Sequence, residues 1–233
     1  MIAKSIKGKS TSAIQLALEQ SMTDGFKPTL AICFISKSMD RNAISNLLDA
    51  VGISVFGCTT NGEFIDEETD KESAAILLLD MKKEYFHIYF HEFSEPNYIE
   101  AAQEIAKKEK KKFAVPAFFI GLSHHETDGE EVLRGLEDIV GKEVNAFGGG
   151  AGDDYAFKET VVFANGKDSN KAIVCIAIDE TKITVEGITT CGWKAVGTEK
   201  IVTKSEGNHV YTVDNVPVLD LTAKYGGLED VTP

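Results

Sequence analysis

Closely spaced cysteines, long hydrophobic runs and an excess of positive charge are all missing from this sequence. The chain has 233 residues, with 24 Lys and Arg against 37 Asp and Glu, which gives a formal net charge of −13 at pH 7. Proteins that bind nucleic acids or anionic membrane surfaces draw much of their affinity from a basic surface. The charge balance therefore argues against nucleic acid and against a membrane surface as partners.

The four cysteines lack the short spacing that is typical of a shared metal or redox centre. None belongs to a C-x-x-C pair, the spacing that lets two thiolates hold one zinc ion. Cys33 and Cys175 lie inside apolar runs, where a cysteine acts as a small buried hydrophobe. We therefore predict no metal site.

The hydrophobic runs are too short for a signal peptide or a membrane span. The N-terminus lacks the uninterrupted apolar segment of a secretory signal. The longest run, Phe113–Leu122, has ten residues and contains a proline, whereas a membrane-spanning helix needs roughly 20 residues. The composition, 43% hydrophobic and 26% charged, is typical of globular proteins. The sequence predicts a soluble, cytoplasmic protein.

What the sequence does contain is an internal repeat. An apolar strand, a helix capped by Asp, a second strand, a glycine turn and a third strand occur in this order twice. The matching positions are Pro28 and Pro116, Phe56 and Phe147, and Asp80 and Asp179, at offsets of 88, 91 and 99.

Two copies of this unit predict one pseudo-symmetric body of the α/β (α+β) class, with mixed, largely antiparallel sheets and helices. The repeat units are assigned to about 28–92 and 116–190. Two segments that alternate with period two, 85–91 and 182–190, are expected to form hairpins with the third strand of each unit. Asn165-Gly166 is expected to form a tight hairpin turn.

Helices are also expected outside the repeated strands, at about 10–22 and 97–111, because apolar residues recur there at helical spacing. Eight apolar residues are expected to be in the core. These are Phe34, Leu47, Val55, Leu77, Phe118, Leu136, Val144 and Ile176.

The two glycine turns and the strands around them carry a family resemblance. The segments 57–64 (GCTTNGEF), a strand ending at Asp80, and 147–154 (FGGGAGDD) together resemble the N-terminal domain of the FIST family, named for its F-box and intracellular signal transduction contexts. The resemblance implies a sensory input module that binds small ligands such as amino acids and signals to an output protein. It also implies a FIST N-terminal-like domain at 1–190, followed at 191–233 by the start of a truncated C-terminal FIST-like region.

The two glycine turns are the predicted ligand site, because they occupy equivalent places in the repeat and can converge beside a pseudo-two-fold axis. The first turn supplies hydroxyl, amide and carboxylate groups for a polar ligand, and the second supplies a carboxylate for an ammonium group. A phosphate loop is disfavoured, since no Gly-Lys-Ser/Thr ending follows and two carboxylates are present. The alternative is that both turns only reverse the chain. The predicted ligand-binding residues are Cys58, Thr59, Thr60, Asn61, Glu63, His124, Gly149, Gly150, Asp153 and Asp154.

Two alternative functions stay open beside this prediction. Cys58 follows a strand and a glycine, where its thiol could act as a nucleophile if His124 or His125 served as the base. The other alternative is a sensor that binds haem or another cofactor. The preferred prediction is a sensory module without enzymatic activity and without a cofactor, whose partners are a small molecule and a signalling output protein.

Overall fold

The computed structural model describes residues 1–65, 68–93, 97–123, 127–188, 190–195 and 197–227. The chain divides into two units, residues 1–187 and 188–233. The strands of the first unit are β1 (Ile2–Gly8), β2 (Leu30–Ser36), β3 (Ser54–Thr60), β4 (Glu63–Ile65), β5 (Glu68–Asp70), β6 (Ala74–Asp80), β7 (Phe86–Glu92), β8 (Pro116–Leu122), β9 (Ala146–Gly150), β10 (Val162–Ala164), β11 (Lys167–Ser169) and β12 (Ala172–Asp179). Its helices are α1 (Thr11–Ser21), α2 (Arg41–Asp49), α3 (Tyr98–Lys112) and α4 (Gly129–Val140).

The first unit contains two main sheets, and both mix parallel and antiparallel pairs. Sheet 1 has the order β1-β6-β2-β3-β10-β11, and sheet 2 has the order β7-β12-β8-β9. Only the pairs β2–β3 and β8–β9 are parallel. The predicted fold class, mixed and largely antiparallel sheets with helices, is confirmed.

The helices cover the outer faces of the two sheets, and the inner faces pack on each other. One buried cluster joins α1 and α2 to sheet 1, and a second joins α3 and α4 to sheet 2. A third cluster, which includes Phe56, Val162, Val174 and Ile176, fills the space between the sheets. The unit therefore has four layers in the order helix, sheet, sheet and helix. Each sheet packs against helices on one face and against the other sheet on its other face.

Each of the helices α1 to α4 begins at a side chain that accepts a hydrogen bond from the first turn, which explains why the sequence located these helices well. The capping residues are Ser10, Asp40, Asn97 and Asp128. The helices expected at 10–22 and 97–111 are confirmed as α1 and α3. In the described ranges, no helix has the length and apolarity that a membrane span requires.

The four strands of sheet 2 follow the same order and pairing sense as β1, β6, β2 and β3 of sheet 1. This order is the one a repeat would produce, and the duplication itself stays a prediction. The offset of 88 for the first repeated strand is wrong by one residue. Leu30 faces the other sheet whereas Phe118 faces the helices, and a one-residue slip reverses the face of a strand residue.

The expected hairpin partners of the third strands are wrong. The segment 85–91 does form most of β7, but β7 pairs with β12 of its own sheet rather than with β6. The described part of 182–190 contains no strand. β6 pairs with β2 and with β1, and β1 is a strand that the sequence analysis did not predict. The hairpin at Asn165-Gly166 is confirmed, since β10 pairs with β11 and both turn residues have positive φ.

Phe34 is the predicted core residue that the structure contradicts, because its side chain is 37% exposed. It lies on the inner face of β2, at a place that sheet 2 does not cover. The other predicted core residues are buried (Val55, Phe118, Leu136 and Ile176) or partly buried (Leu47, Leu77 and Val144).

The second unit is a small sheet with one helix. Its elements are β13 (Val202–Glu206), β14 (His209–Val213), β15 (Val216–Pro217) and α5 (Val218–Gly226), and the sheet order is β13-β14-β15. None of its described residues is buried. Trp193, for example, is 90% exposed.

Candidate functional site

The two glycine turns lie against each other at one end of the sheets. The backbone N–H of Gly152 donates to the carbonyl of Thr59 at 2.7 Å, and that of Asp154 donates to the carbonyl of Thr60 at 3.2 Å. The approach is so close that a Cβ on Gly152 would collide with Asn61. The predicted convergence of the two turns is therefore present in the structure.

The polar groups at this junction hold the loops themselves. The Asn61 side-chain oxygen accepts from the N–H groups of Asp153 (2.9 Å) and Tyr155 (3.2 Å). The Asp153 carboxylate, 4% exposed, accepts from three successive N–H groups, those of residues 157, 158 and 159, at 2.7–3.1 Å. These contacts assign both side chains a part in fixing the loop geometry, and their role in ligand binding stays a prediction.

Thr59 and Cys58 are buried under the same junction. The Thr59 hydroxyl and backbone bond to Val161, which joins the two halves. Cys58 is 5% exposed, and burial raises the pKa of its thiol to about 12. Because the thiolate is the nucleophile, this environment opposes nucleophilic chemistry at neutral pH.

The remaining predicted residues lie at the rim of the junction. Gly149 and Gly150 are exposed at the end of β9. Asp154 is exposed and accepts a hydrogen bond from the buried Ser36 hydroxyl at 2.8 Å. His124, and His125 beside it, lie outside the described residues. Within the described ranges, no group of three or more His, Cys, Asp and Glu side chains is placed to hold a metal ion.

A cavity of about 510 Å³ opens beside the first glycine turn, between sheet 1 and the β4–β5 hairpin. Sheet 2 packs further along the same face of sheet 1, where Leu30 of β2 and Leu79 of β6 join the inter-sheet cluster with residues of β3 and β10. The hairpin therefore lies over the neighbouring part of this face, which includes Ser5, Phe34 and Ala75. The volume falls in the range of small-molecule sites. The lining residues are Ser5, Phe34, Thr60, Gly62, Glu63, Phe64, Ile65, Ala75, Ile76 and Leu77.

Strand register explains the floor of this cavity. Phe34 is paired with Ala75, and Leu77 is paired with Ser5. Since paired residues point to the same face of an antiparallel sheet, these four side chains form one surface across three strands. The small Ala75 and Ser5 leave the space that the cavity occupies.

Glu63 is the buried polar centre of the cavity. It is 2% exposed, and its Oε1 accepts from the Thr60 hydroxyl at 2.6 Å. Its Oε2 accepts from the hydroxyl (2.9 Å) and the backbone N–H (3.3 Å) of Ser73. All three partners donate hydrogen bonds to the carboxylate.

The hairpin that roofs the cavity is tied to sheet 1 by exposed ion pairs. Lys7 pairs with Glu68 and Asp70, and Lys9 pairs with Asp70 at 2.9 Å. Hydrogen bonds from Lys9 and Lys7 lower the pKa of the Asp70 carboxyl. Ion pairs of this kind near the surface are weak, so they add little to the stability of the closed hairpin.

A comparison with known protein families adds to this geometry. The model of the FIST N domain matches residues 29–216. The chain belongs to the FIST family. The predicted resemblance is confirmed, and this family consists of sensory domains of signal transduction. The match includes both glycine turns and the cavity-lining residues from Phe34 onwards, and it continues past the predicted boundary at residue 190. No curated protein matches the chain.

Of the ten predicted site residues, Thr60 and Glu63 line the cavity. The sequence analysis missed the apolar part of this FIST cavity, formed mainly by Phe34, Phe64 and Leu77. Phe34 and Leu77 lie in apolar runs that read as fully buried strands. The sequence shows only that Phe64 follows a glycine turn. Its exposure of 73%, which is the property that marks a large apolar side chain as part of a binding surface, is visible only in the structure.

Proposed function

We propose that this FIST domain is a ligand-binding sensory module, and that its ligand occupies the cavity under the β4–β5 hairpin. The observation that carries this proposal is the cavity itself, which combines apolar walls with a small group of convergent polar atoms from Thr60 and Glu63. This combination is typical of small-molecule sites. The ligand is a small metabolite with an apolar part and a polar or charged head group.

The hairpin supplies a way to report occupancy. Glu63, Phe64 and Ile65 form β4, so a ligand in the cavity contacts the same strand that is joined to β5. On the outside of the hairpin, β5 is held to Lys7 and Lys9 by ion pairs. Ligand binding would therefore stabilise the closed hairpin, and an output partner would recognise that state.

A thermal-shift screen of metabolites, including amino acids and amines, tests the proposal. A ligand at about 100 times its dissociation constant stabilises the folded state by about 2.7 kcal/mol, which corresponds to roughly 5–10 °C for a chain of this size. Ala75→Leu should abolish the shift because the added atoms fill the cavity.

Ala3→Leu is the matched control. It makes the same substitution on an exposed residue of the same sheet, outside the cavity lining, and should keep the full shift. A ligand whose shift survives Ala75→Leu binds elsewhere, and that result would refute the proposed site.

A further inference from the structure

Glu63 is a buried carboxylate whose described partners are all neutral. Its three donors are two hydroxyls and one backbone N–H. Among the residues that the structure describes, no Lys, Arg or His forms an ion pair with it, although exposed carboxylates such as Asp24 and Asp70 have Lys partners. A buried charge is costly unless an opposite charge accompanies it.

The cavity does not supply that opposite charge from its own walls. Among the residues that the structure describes, those that line it include no Lys, Arg or His. Oε1 is bonded to Thr60, which also lines the cavity, whereas Oε2 is held by Ser73, which is not among the lining residues. A carboxylate oxygen has capacity for a further donor, so Oε1 can accept one from a ligand.

Apart from Ser5 and Gly62, the rest of the described lining is apolar or aromatic, and it offers no cationic group to a second, negative charge on the ligand. Phe34, Phe64 and Leu77 offer no hydrogen-bond donor to an anionic group, and a ligand carboxylate would be repelled by Glu63 within a cavity of this size. The aromatic faces of Phe34 and Phe64 favour a cation.

We infer that the cavity selects an organic monocation, a primary amine with an apolar or aromatic body and without a carboxylate, and that Glu63 is the counter-ion. This inference rests on the proposed function, and narrows its ligand class. An amino acid carries the required ammonium group together with a carboxylate, and the described lining residues include no cationic group that would neutralise it. The cavity therefore prefers the amine to the amino acid that shares its side chain.

The test uses four probes with one aryl body: 2-phenylethylamine, L-phenylalanine, 3-phenylpropionate and 2-phenylethanol. Binding to the full chain is measured by titration calorimetry at pH 7.5. We expect 2-phenylethylamine to bind at least tenfold more tightly than L-phenylalanine and 2-phenylethanol, and 3-phenylpropionate to show no binding. Phe34→Ala should weaken amine binding by about tenfold or more, and Ala3→Leu should leave it unchanged.

Glu63→Gln tests the counter-ion directly, because it keeps an acceptor oxygen and removes the charge. In this variant the amine should lose its advantage over the neutral alcohol. Its folding is checked by its melting transition, and if the variant does not fold, the comparison of amine with alcohol on the unaltered chain tests the charge by itself.

The results that overturn the inference differ from those that overturn the proposed function. The preference for a monocation is refuted if L-phenylalanine binds as tightly as the amine or more tightly, or if the amine and the alcohol bind equally. If Ala75→Leu abolishes that binding, the cavity is still the binding site. The inference also fails, and the cavity is still the site, if none of the four probes binds but a metabolite from the screen binds and Ala75→Leu abolishes its binding. Amine binding that persists in Ala75→Leu refutes both.

Discussion

The two sheets share one strand order, but the chain leaves their glycine turns in different ways. After β3 it forms the β4–β5 hairpin, which lies over its own sheet and roofs a cavity. After β9 it crosses to the other sheet, where β10 pairs with β3 and β11 forms the edge. The same strand order thus carries the cavity on one of these connections and the link between the sheets on the other.

The largest expected difference between the two connections comes from truncating one phenylalanine in each region, the connection that contains β10 and the cavity under the β4–β5 hairpin. Phe163 lies in the connecting insertion and is 2% exposed, whereas Phe34 faces the cavity and is 37% exposed. Phe163→Ala should lower the free energy of unfolding by about 3–5 kcal/mol because it leaves a void in a closed core. Phe34→Ala should cost less than about 1 kcal/mol.

Chemical denaturation of the two variants measures this difference. Similar losses for both would show that the hairpin side is packed as tightly as the connecting side, and would contradict the assignment of the cavity.

Two neighbouring aspartates, Asp153 and Asp154, allow a test of which side chain holds the second glycine turn in place. Asp153→Asn places an amide N–H₂ among three N–H groups that now donate to the carboxylate, and should destabilise the fold by about 1–3 kcal/mol. Asp154→Asn is the control, since Asp154 is exposed with a φ of 58° that Asn tolerates. A shift in melting temperature for both variants or for neither would contradict this assignment.

Thiol reactivity compares the closed space between the layers with the exposed second unit. Burial raises the pKa of the thiols of Cys33, Cys58 and Cys175, whereas Cys191 is exposed. Iodoacetamide at pH 7.5 should therefore alkylate one cysteine of the native protein and all four in guanidinium chloride. Mass spectrometry counts the adducts, and rapid native labelling of Cys58 would instead revive its role as a nucleophile.

The smallest expected effect concerns the ion pairs that hold the hairpin. The pKa of Asp70 is below its ordinary value of 3.8 because Lys9 and Lys7 donate to it. The stability that the ionised Asp70 gives the closed hairpin is therefore present at pH above that ordinary value, and it is lost as the pH falls through the lowered pKa. Hydrogen exchange in residues 63–65 and 68–70, corrected for intrinsic rates, should be faster in acid and in Asp70→Asn at neutral pH, with little change elsewhere.

High salt provides an independent check, since exposed ion pairs are screened. If the rate of hydrogen exchange in the hairpin is unchanged by acid, by salt and by Asp70→Asn, packing alone closes the hairpin.

The sequence predicted local features well because their causes are local. The helix starts at Asp40 and Asp128 follow from side-chain caps, and the turn at Asn165-Gly166 follows from two residues that tolerate positive φ. Strand partners depend on contacts between distant segments, which explains why β7 was assigned to the wrong neighbour. The one-residue error in the repeat offset has the same origin, since strands apolar on both faces give no signal of their register.

The sequence predicted the polar residues of the candidate site and missed its apolar residues. Glu63 and Thr60 stand out in a glycine turn, but the sequence cannot tell whether Asn61 binds a ligand or the backbone of a loop about 90 residues away. Nor can it show that Phe34 lies where the covering sheet ends. These facts depend on how the sheets overlap, a property of the assembled layers.

The pairing of β10 with β3 also constrains how the chain folds. Val162 lies opposite Cys58, and Ala164 lies opposite Phe56, so sheet 1 is completed by residues more than 100 positions away. During synthesis the first half emerges with the edge of β3 unpaired, and an open edge strand is prone to pair with another chain. Residues 1–187 should therefore fold slowly and as one cooperative unit, with the two layers of the sandwich completed together.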